Sequence, residues 1–490
     1  MNSSATLTVG IEDTLGPTHP GGWQSLADVQ VGRHIFETLV RERGDHSIAP
    51  GVAESWTVGR GGREWRFKIA RGLFFHDGSP IDAGAVAGCL TGGVLDAVGL
   101  GPFVVALATR GDDGVIIRTA APVASILHRL AAPRASLVSP RGRHSNQAIG
   151  SGPYRYTRSD GVRVVLTRAR SDAAKACYAE LAFLPLRDGR AMWESVRSGA
   201  VDVIYECPYN RVPRGTERDI VDGVVVRTRP SLSVNMLLFN TAAGPAHSVQ
   251  LRRLIASAID TEQMLREVHL GVGAVPRGPI SPASPFFEPD IERAEPPALT
   301  KRQARIHVLA TRGYYTGALD FLCRQLEPRL VRCDLELVPF PELIARLRSG
   351  RFEAALTGTG GGSDPDLLLT DLFHSRGRHN FARLRDGALD GCIEQARETL
   401  DVARRRELYR RAVNRINALA PAVFLRHGAA IVAHRQGVGG LSPRGDHLLE
   451  LDSAFASGPQ SGEVPGDYVT LSCKQERRGH GAGARKAVAS

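Results

Sequence analysis

Two histidines, His374 and His379, lie five residues apart, and paired imidazoles could hold a transition metal if one helical face carried both. A spacing of five does not do that, because residues three or four apart share a helical face. No H-E-x-x-H run occurs, and both histidines read as polar loop residues. Asp364 and Asp366 could share general acid and base work, yet Asp before Pro365 is a usual way to begin a turn or a helix. Three glycine clusters, at residues 271–273, 358–362 and 437–440, come near a dinucleotide fingerprint, but each lacks the third glycine at the required offset. They read as turns. There is no Gly-Lys dipeptide to build a phosphate cradle, and no serine has glycines two positions away on both sides, as a nucleophile elbow needs. No catalytic constellation emerges, and the chain is read as a non-enzyme without a cofactor.

Composition bounds the class. A chain of 490 residues exceeds one small module and suggests about three domains or two large lobes. Apolar residues at 42% and charged residues at 23% are ordinary for a folded globular protein. The net charge is +11, and only five of the 62 basic residues are lysines. The arginines are scattered and do not alternate with aromatics, so no nucleic-acid partner is expected. Seven cysteines with no C-x-x-C spacing make neither a zinc site nor a disulfide framework. Cys323 and Cys333 are close enough in sequence to pair, or else they act as small buried hydrophobes. The most apolar stretch, residues 90–109, is broken by Asp96, several glycines and Pro102, so no transmembrane segment is expected. The first residues run into a strand-like segment at 7–11 with no basic start or apolar signal core. Either the protein stays inside the cell or its export signal is missing from this sequence.

Any site must be positioned by the elements that hydropathy predicts. A strand at residues 7–11, a Gly/Pro/Thr-rich loop at 12–22 and an amphipathic helix at 26–40 come first. Alternation at residues 56–75, as in Trp65-Arg-Phe-Lys-Ile69, predicts strands, followed by a turn at 76–80 and a small-residue helix at 83–90. From about residue 233 a buried strand, then helical spacing at 249–265, begins a second region. There strands at 306–309 and 335–338 alternate with helices at 318–326 and 342–347, which argues for a largely parallel sheet. Residues 390–419 read as one or two amphipathic helices, 422–425 and 430–432 as strands, and 457–490 as a disordered tail.

Several segments, in order, closely resemble the family 5 solute-binding proteins of ABC importers. Ala49-Pro-Gly-Val-Ala-Glu-Ser-Trp56 and Trp65 through Phe75-His-Asp-Gly-Ser-Pro80 match the family's opening motif, and Gly150-Ser-Gly-Pro-Tyr154 its glycine-proline turn. Phe239-Asn-Thr241 with the helix at 249–260, then Phe352-Glu-Ala-Ala355, Asp364-Pro-Asp366, the segment at 404–409 and Ala420-Pro-Ala-Val-Phe424, complete the set. The ordered match covers residues 7–443.

The resemblance implies an α/β, two-lobed periplasmic-binding-protein-like clamp of type II (cluster C-like), with mixed sheets and an extra subdomain in the first lobe. Its expected divisions are 1–235 for the first lobe with the subdomain inserted at about 45–150, 236–425 for the second lobe, and 426–456 for the return. The implied function is capture of a small solute, whether a peptide, an opine-like compound or a metal chelate, for an ABC permease and its ATPase subunits. A monomer, periplasmic or at the cell surface, is implied; a cytoplasmic solute-sensing module built on the same clamp is the alternative. Dipeptide-binding members carry a carboxylate in the turn before Asp-Pro-Asp, where this chain has Gly358-Thr-Gly-Gly-Gly-Ser363, so an acidic solute is expected. Arg134, placed like an arginine of the nickel-chelate branch, is either a carboxylate clamp or part of an internal salt bridge. His379 with Asn380 lies near that branch's histidine loop, where His379 would cap a bound chelate's metal or line the loop. Arg426 in a hinge strand, Trp23 and Asp28 complete the candidate ligand set, with Trp23 equally readable as a core anchor. Arg252 is read as a helix-surface charge and Asp260 as a helix-end turn.

Overall fold

The computed structural model describes residues 5–12, 16, 19–23, 25–142, 149–159, 163–169, 178–186, 188–205, 218–292, 303–311, 316–451 and 455–456. The tail expected from residue 457 lies outside them.

Alternating apolar residues set the first strand. Leu7, Val9 and Ile11 of Thr6–Ile11 are fully buried, and the strand runs parallel to Glu180–Pro185 and Val203–Tyr205. Helix Leu26–Ile35 covers this sheet, started by a capping box in which Ser25 and Asp28 satisfy each other's backbone N–H groups. Its buried face joins Trp23, Phe36, Tyr154 and Phe183 in one core.

A separate four-stranded antiparallel sheet follows, in the order Ala53–Gly59, Glu64–Ile69, Gly114–Thr119, Val104–Arg110. Trp65, Phe67 and Ile69 point inward while Arg66 and Lys68 face water, as the alternation predicts. Each buried aromatic stabilises by roughly 1.5–3 kcal/mol. Helices Ala83–Cys89 and Ile126–Ala131 close this second core.

The second lobe carries a parallel trio, Val331–Val338, Ala304–Thr311 and Ala354–Thr359, flanked by helices Thr316–Leu326 and Phe340–Ser349. The segment read at 390–419 as one or two amphipathic helices is two, Gly387–Glu398 and Val402–Leu419. The segment at 249–265 is likewise two helices, Val249–Ala258 and Thr261–Glu267, because Asp260 caps the second by accepting the Gln263 N–H. Arg252 departs from the surface reading: it is buried and donates only to backbone carbonyls.

Two long strands join the lobes. Val224–Phe239 and Ala422–Arg435 pair antiparallel along most of their length, and they connect the parallel trio to the first-lobe strands within one mixed sheet, of eleven strands among the described residues. The sequence pattern showed only fragments of them, since Arg426-His427-Gly428 and Arg227 through Ser231 interrupt the apolar runs. Pairing satisfies their backbone regardless of side-chain polarity. The register slips between Pro230 and Val234, which places an irregularity where the chain crosses between lobes.

Among the described residues Cys89, Cys323, Cys333 and Cys392 form no disulfide. The Cys323 and Cys333 thiols lie near each other, and burial pushes Cys333 up to about 12. Among the described residues no helix is long and apolar enough to cross a membrane, and no group of three or more His, Cys, Asp or Glu could hold a metal ion.

Candidate functional site

A cavity of about 1310 Å³ opens between the lobes, large enough for a small multi-functional solute. Its first-lobe wall comes from the end of helix Leu26–Ile35, the hairpin Val40–Glu42 with Ile48–Pro50, and residues 131–136. Its second-lobe wall is the turn at 361–364, and Leu232 of the crossing strand forms its back. The Gly150-Ser-Gly-Pro turn also borders it. A Cβ on Gly150 would lie 2.0 Å from the Ile35 carbonyl oxygen, and Gly152 donates its N–H to that oxygen at 2.8 Å, so the turn can pack on the helix end only as glycine.

Of the six candidate ligand residues, Arg134 lines this cavity. It is exposed there, with one Nη2 donating to the Trp23 carbonyl at 3.2 Å, and no salt bridge restrains it among the described residues. Trp23 itself is buried against Phe36, ring centroids 6.0 Å apart, which is the core-anchor geometry. The Asp28 carboxylate accepts the N–H groups of Gly16 at 2.7 Å and Ser25 at 3.1 Å. His379 packs beside Phe381 with its Nδ1 3.7 Å from Asp371, and Asn380 accepts the Leu384 N–H while donating to the Leu384 carbonyl. Arg426 is buried at the crossing next to Gly273 and His269. These five lie outside the residues that line the cavity.

The Asp-Pro-Asp segment performs the turn-starting job read from sequence and something further. Asp364 caps helix Pro365–Phe373 and is held by Arg405 Nη2 at 2.6 Å and the Tyr409 hydroxyl at 3.1 Å. Asp366 is fully buried and accepts from Ser125 Oγ at 2.6 Å and Arg129 Nη2 at 2.7 Å on one side of the cleft, and from Arg397 Nε at 3.0 Å on the other. Burial alone would raise its pKa, but the two guanidiniums win and hold the carboxyl well below the usual range. Sequence reasoning missed Ser125, Arg129 and Arg397, whose partner is more than 30 residues away in each case.

The family model for bacterial extracellular solute-binding proteins, family 5 (middle region), matches residues 47–314. The chain belongs to this family. It is 23% identical to a probable di/tripeptide-binding protein 5 of Pseudomonas aeruginosa (strain UCBPP-PA14), over 89% of this chain and 93% of that one. It is 22% identical to the dipeptide-binding protein of Escherichia coli (strain K12), over 85% and 88%. Its fold resembles NikA from Brucella suis in complex with Fe(III)-EDTA, with a TM-score of 0.80 at 19% identity, covering 93% of this chain and 100% of that one. The architecture is thus the two-lobed clamp of type II periplasmic binding proteins. The alternative of a cytoplasmic sensing module finds no support in these relatives.

The crossing of this family 5 protein carries a buried imidazole, His427, and a half-buried one, His269, beside it. Burial pushes His427 down to about 4, and burial together with the nearby Arg426 pushes His269 down to about 3. Both are neutral when folded, whereas the unfolded chain takes up protons near pH 6.5. Their contribution is therefore complete above pH 6.5 and is lost as pH falls toward 4, at up to about 1.4 kcal/mol per pH unit for each group. Urea midpoints are expected to be flat from pH 8 to 7 and to drop between about pH 6.5 and 4. A midpoint that holds through that window would refute the assignment.

Proposed function

We propose that the protein captures a small solute in the cavity between its lobes and presents it to a membrane-embedded ABC permease driven by ATPase subunits. The cavity between lobes joined by two crossing strands is the observation that carries this reading, since such clamps close when a ligand bridges both walls. The work is binding: the polar groups lining the cavity are dispersed over both walls. We assign residues 1–235, with the subdomain at about 45–150, to the first lobe, 236–425 to the second, and 426–456 to the return. Separate apolar cores built from residues 7–36 with 154–205 and 432–451, from 39–137, and from 234–424 support that division. A periplasmic or cell-surface location accords with the relatives' function, and a single copy of the chain suffices to build the cavity. Peptides, as bound by the named relatives, and metal chelates are the solute classes to test first. Arg134 is the residue of the original candidate set best placed to meet a solute carboxylate, because guanidinium pairs with it bidentately.

Native mass spectrometry of protein purified without denaturation is expected to show a co-purified small molecule. X-ray scattering should then give a smaller radius of gyration for the loaded protein than for the stripped one. An identical radius with verified occupancy would rule out the clamp motion.

A further inference from the structure

Arg41, Arg43 and Arg134 line the cavity, all three exposed; among the described residues none has a carboxylate within 4.0 Å, and Arg43 feels the Asp45 carboxylate only at longer range. Arg41 lies in the hairpin strand Val40–Glu42 and Arg43 directly follows it, both lining the cavity. The other cationic groups of the wall are already matched. Arg129 is spent on Asp366, and Arg444 is held by Asp446 at 2.9 Å and Glu450 at 2.6 Å.

The acids of the wall, Glu37 among them, also have hydrogen-bond or charge partners. Glu42 lies 2.6 Å from His46 Nδ1 and accepts the Ser363 hydroxyl at 2.9 Å, while Asp364 is taken by Arg405 and Tyr409. Asp45, the exposed acid nearest Arg43 in sequence, accepts both the N–H and the hydroxyl of Ser47. Across the cavity, residues 361–362 present bare backbone. Gly361 donates its N–H to the Leu232 carbonyl at 3.1 Å, and a Cβ there would meet that oxygen at 2.6 Å, so this wall cannot carry a side chain at that point. A cationic end of a solute would meet the exposed guanidiniums of Arg41 and Arg134 on one side and the bare backbone of residues 361–362 on the other.

We propose that the solute is a small polycarboxylate without an exposed ammonium, one acidic group gripped by Arg41 and Arg43 as a pair and another by Arg134. This rests on the solute-binding reading above and adds to it the charge class and the hairpin subsite. Exposed arginines keep their hydration until a ligand arrives, and charge-assisted bonds formed in a cleft of lowered dielectric then favour carboxylates over amides.

Isothermal titration of the stripped full chain with citrate, dialanine and lysyl-lysine tests it. Citrate is expected to bind, and more weakly as salt is raised. The double variant Arg41→Gln/Arg43→Gln should weaken citrate at least about tenfold, because hydrogen bonds between charged groups are lost. Arg158→Gln/Arg332→Gln, which removes two exposed charges outside the cavity, should change it by less than about twofold, since distant exposed charges are screened. No citrate binding, or citrate binding unchanged in the hairpin variant, overturns the proposal. Tighter binding of dialanine or lysyl-lysine than of citrate also overturns it but leaves the solute-binding reading standing. Failure of all three probes, with no co-purified solute in native mass spectra, removes both.

Discussion

Asp366→Ala is expected to lower the unfolding free energy by about 3–5 kcal/mol, because it strands two buried arginines whose counter-charge it supplied. Arg129 and Arg397 are both buried and reach the carboxylate from opposite sides of the cleft, and Phe103 lies under both guanidiniums at 6.0 and 5.1 Å. Ser125 and Thr370 complete the carboxylate's partners, so nothing nearby can substitute for it. Asp366→Asn keeps an acceptor while losing the charge, and should fall between wild type and alanine. Urea denaturation at neutral pH measures the loss. Because the contact spans the cleft, the alanine variant should also show a larger radius of gyration in scattering. A stability change under about 1 kcal/mol would mean that the two arginines find other partners, as groups freed from a buried pair rarely do without cost.

The second large effect is expected at Arg252→Leu, about 3 kcal/mol of destabilisation from carbonyls left without charged donors. Arg252 sits in the first turn of helix Val249–Ala258 and donates to Ala420 O at 2.9 Å, Leu419 O at 2.6 Å, Ala246 O at 2.8 Å and His247 O at 2.9 Å. Two of these acceptors end helix Val402–Leu419, where a cation also complements the helix dipole. Burial, with Arg253 adding a smaller push, lowers the guanidinium to about 10, so it is still charged at neutral pH. Arg252→Lys should recover part of the loss, since a single ammonium cannot span the same fork of acceptors. Equal stability of the leucine variant and wild type in urea would show that water replaces the guanidinium.

Local pattern sufficed where a local rule was in force. Trp65, Phe67 and Ile69 alternate because one face of their sheet is buried and the other wet. Asp364 before Pro365 starts a helix because a side-chain acceptor and a preset φ are what a first turn needs. The hinge strands were legible only in part, since a polar middle is tolerated when backbone pairing continues through it. Arg252 was misread for a related reason: helical spacing says which residues share a face, not which carbonyls of another helix will meet that face.

For the site, ordered motifs in the sequence determined the family and with it the clamp, because each motif is a short-range solution to a turn, a cap or a buried strand. They also placed Arg134 among the candidates. Residue types along the chain could not say that Arg41 and Arg43 would line the cavity without an ion-pair partner, or that Asp366 would bind Ser125 across the cleft. Those facts depend on which charges are already neutralised, and neutralisation is a property of distances between residues far apart in the chain. Charge count was written in the sequence, and the tertiary structure alone decided which charges are left over for a ligand.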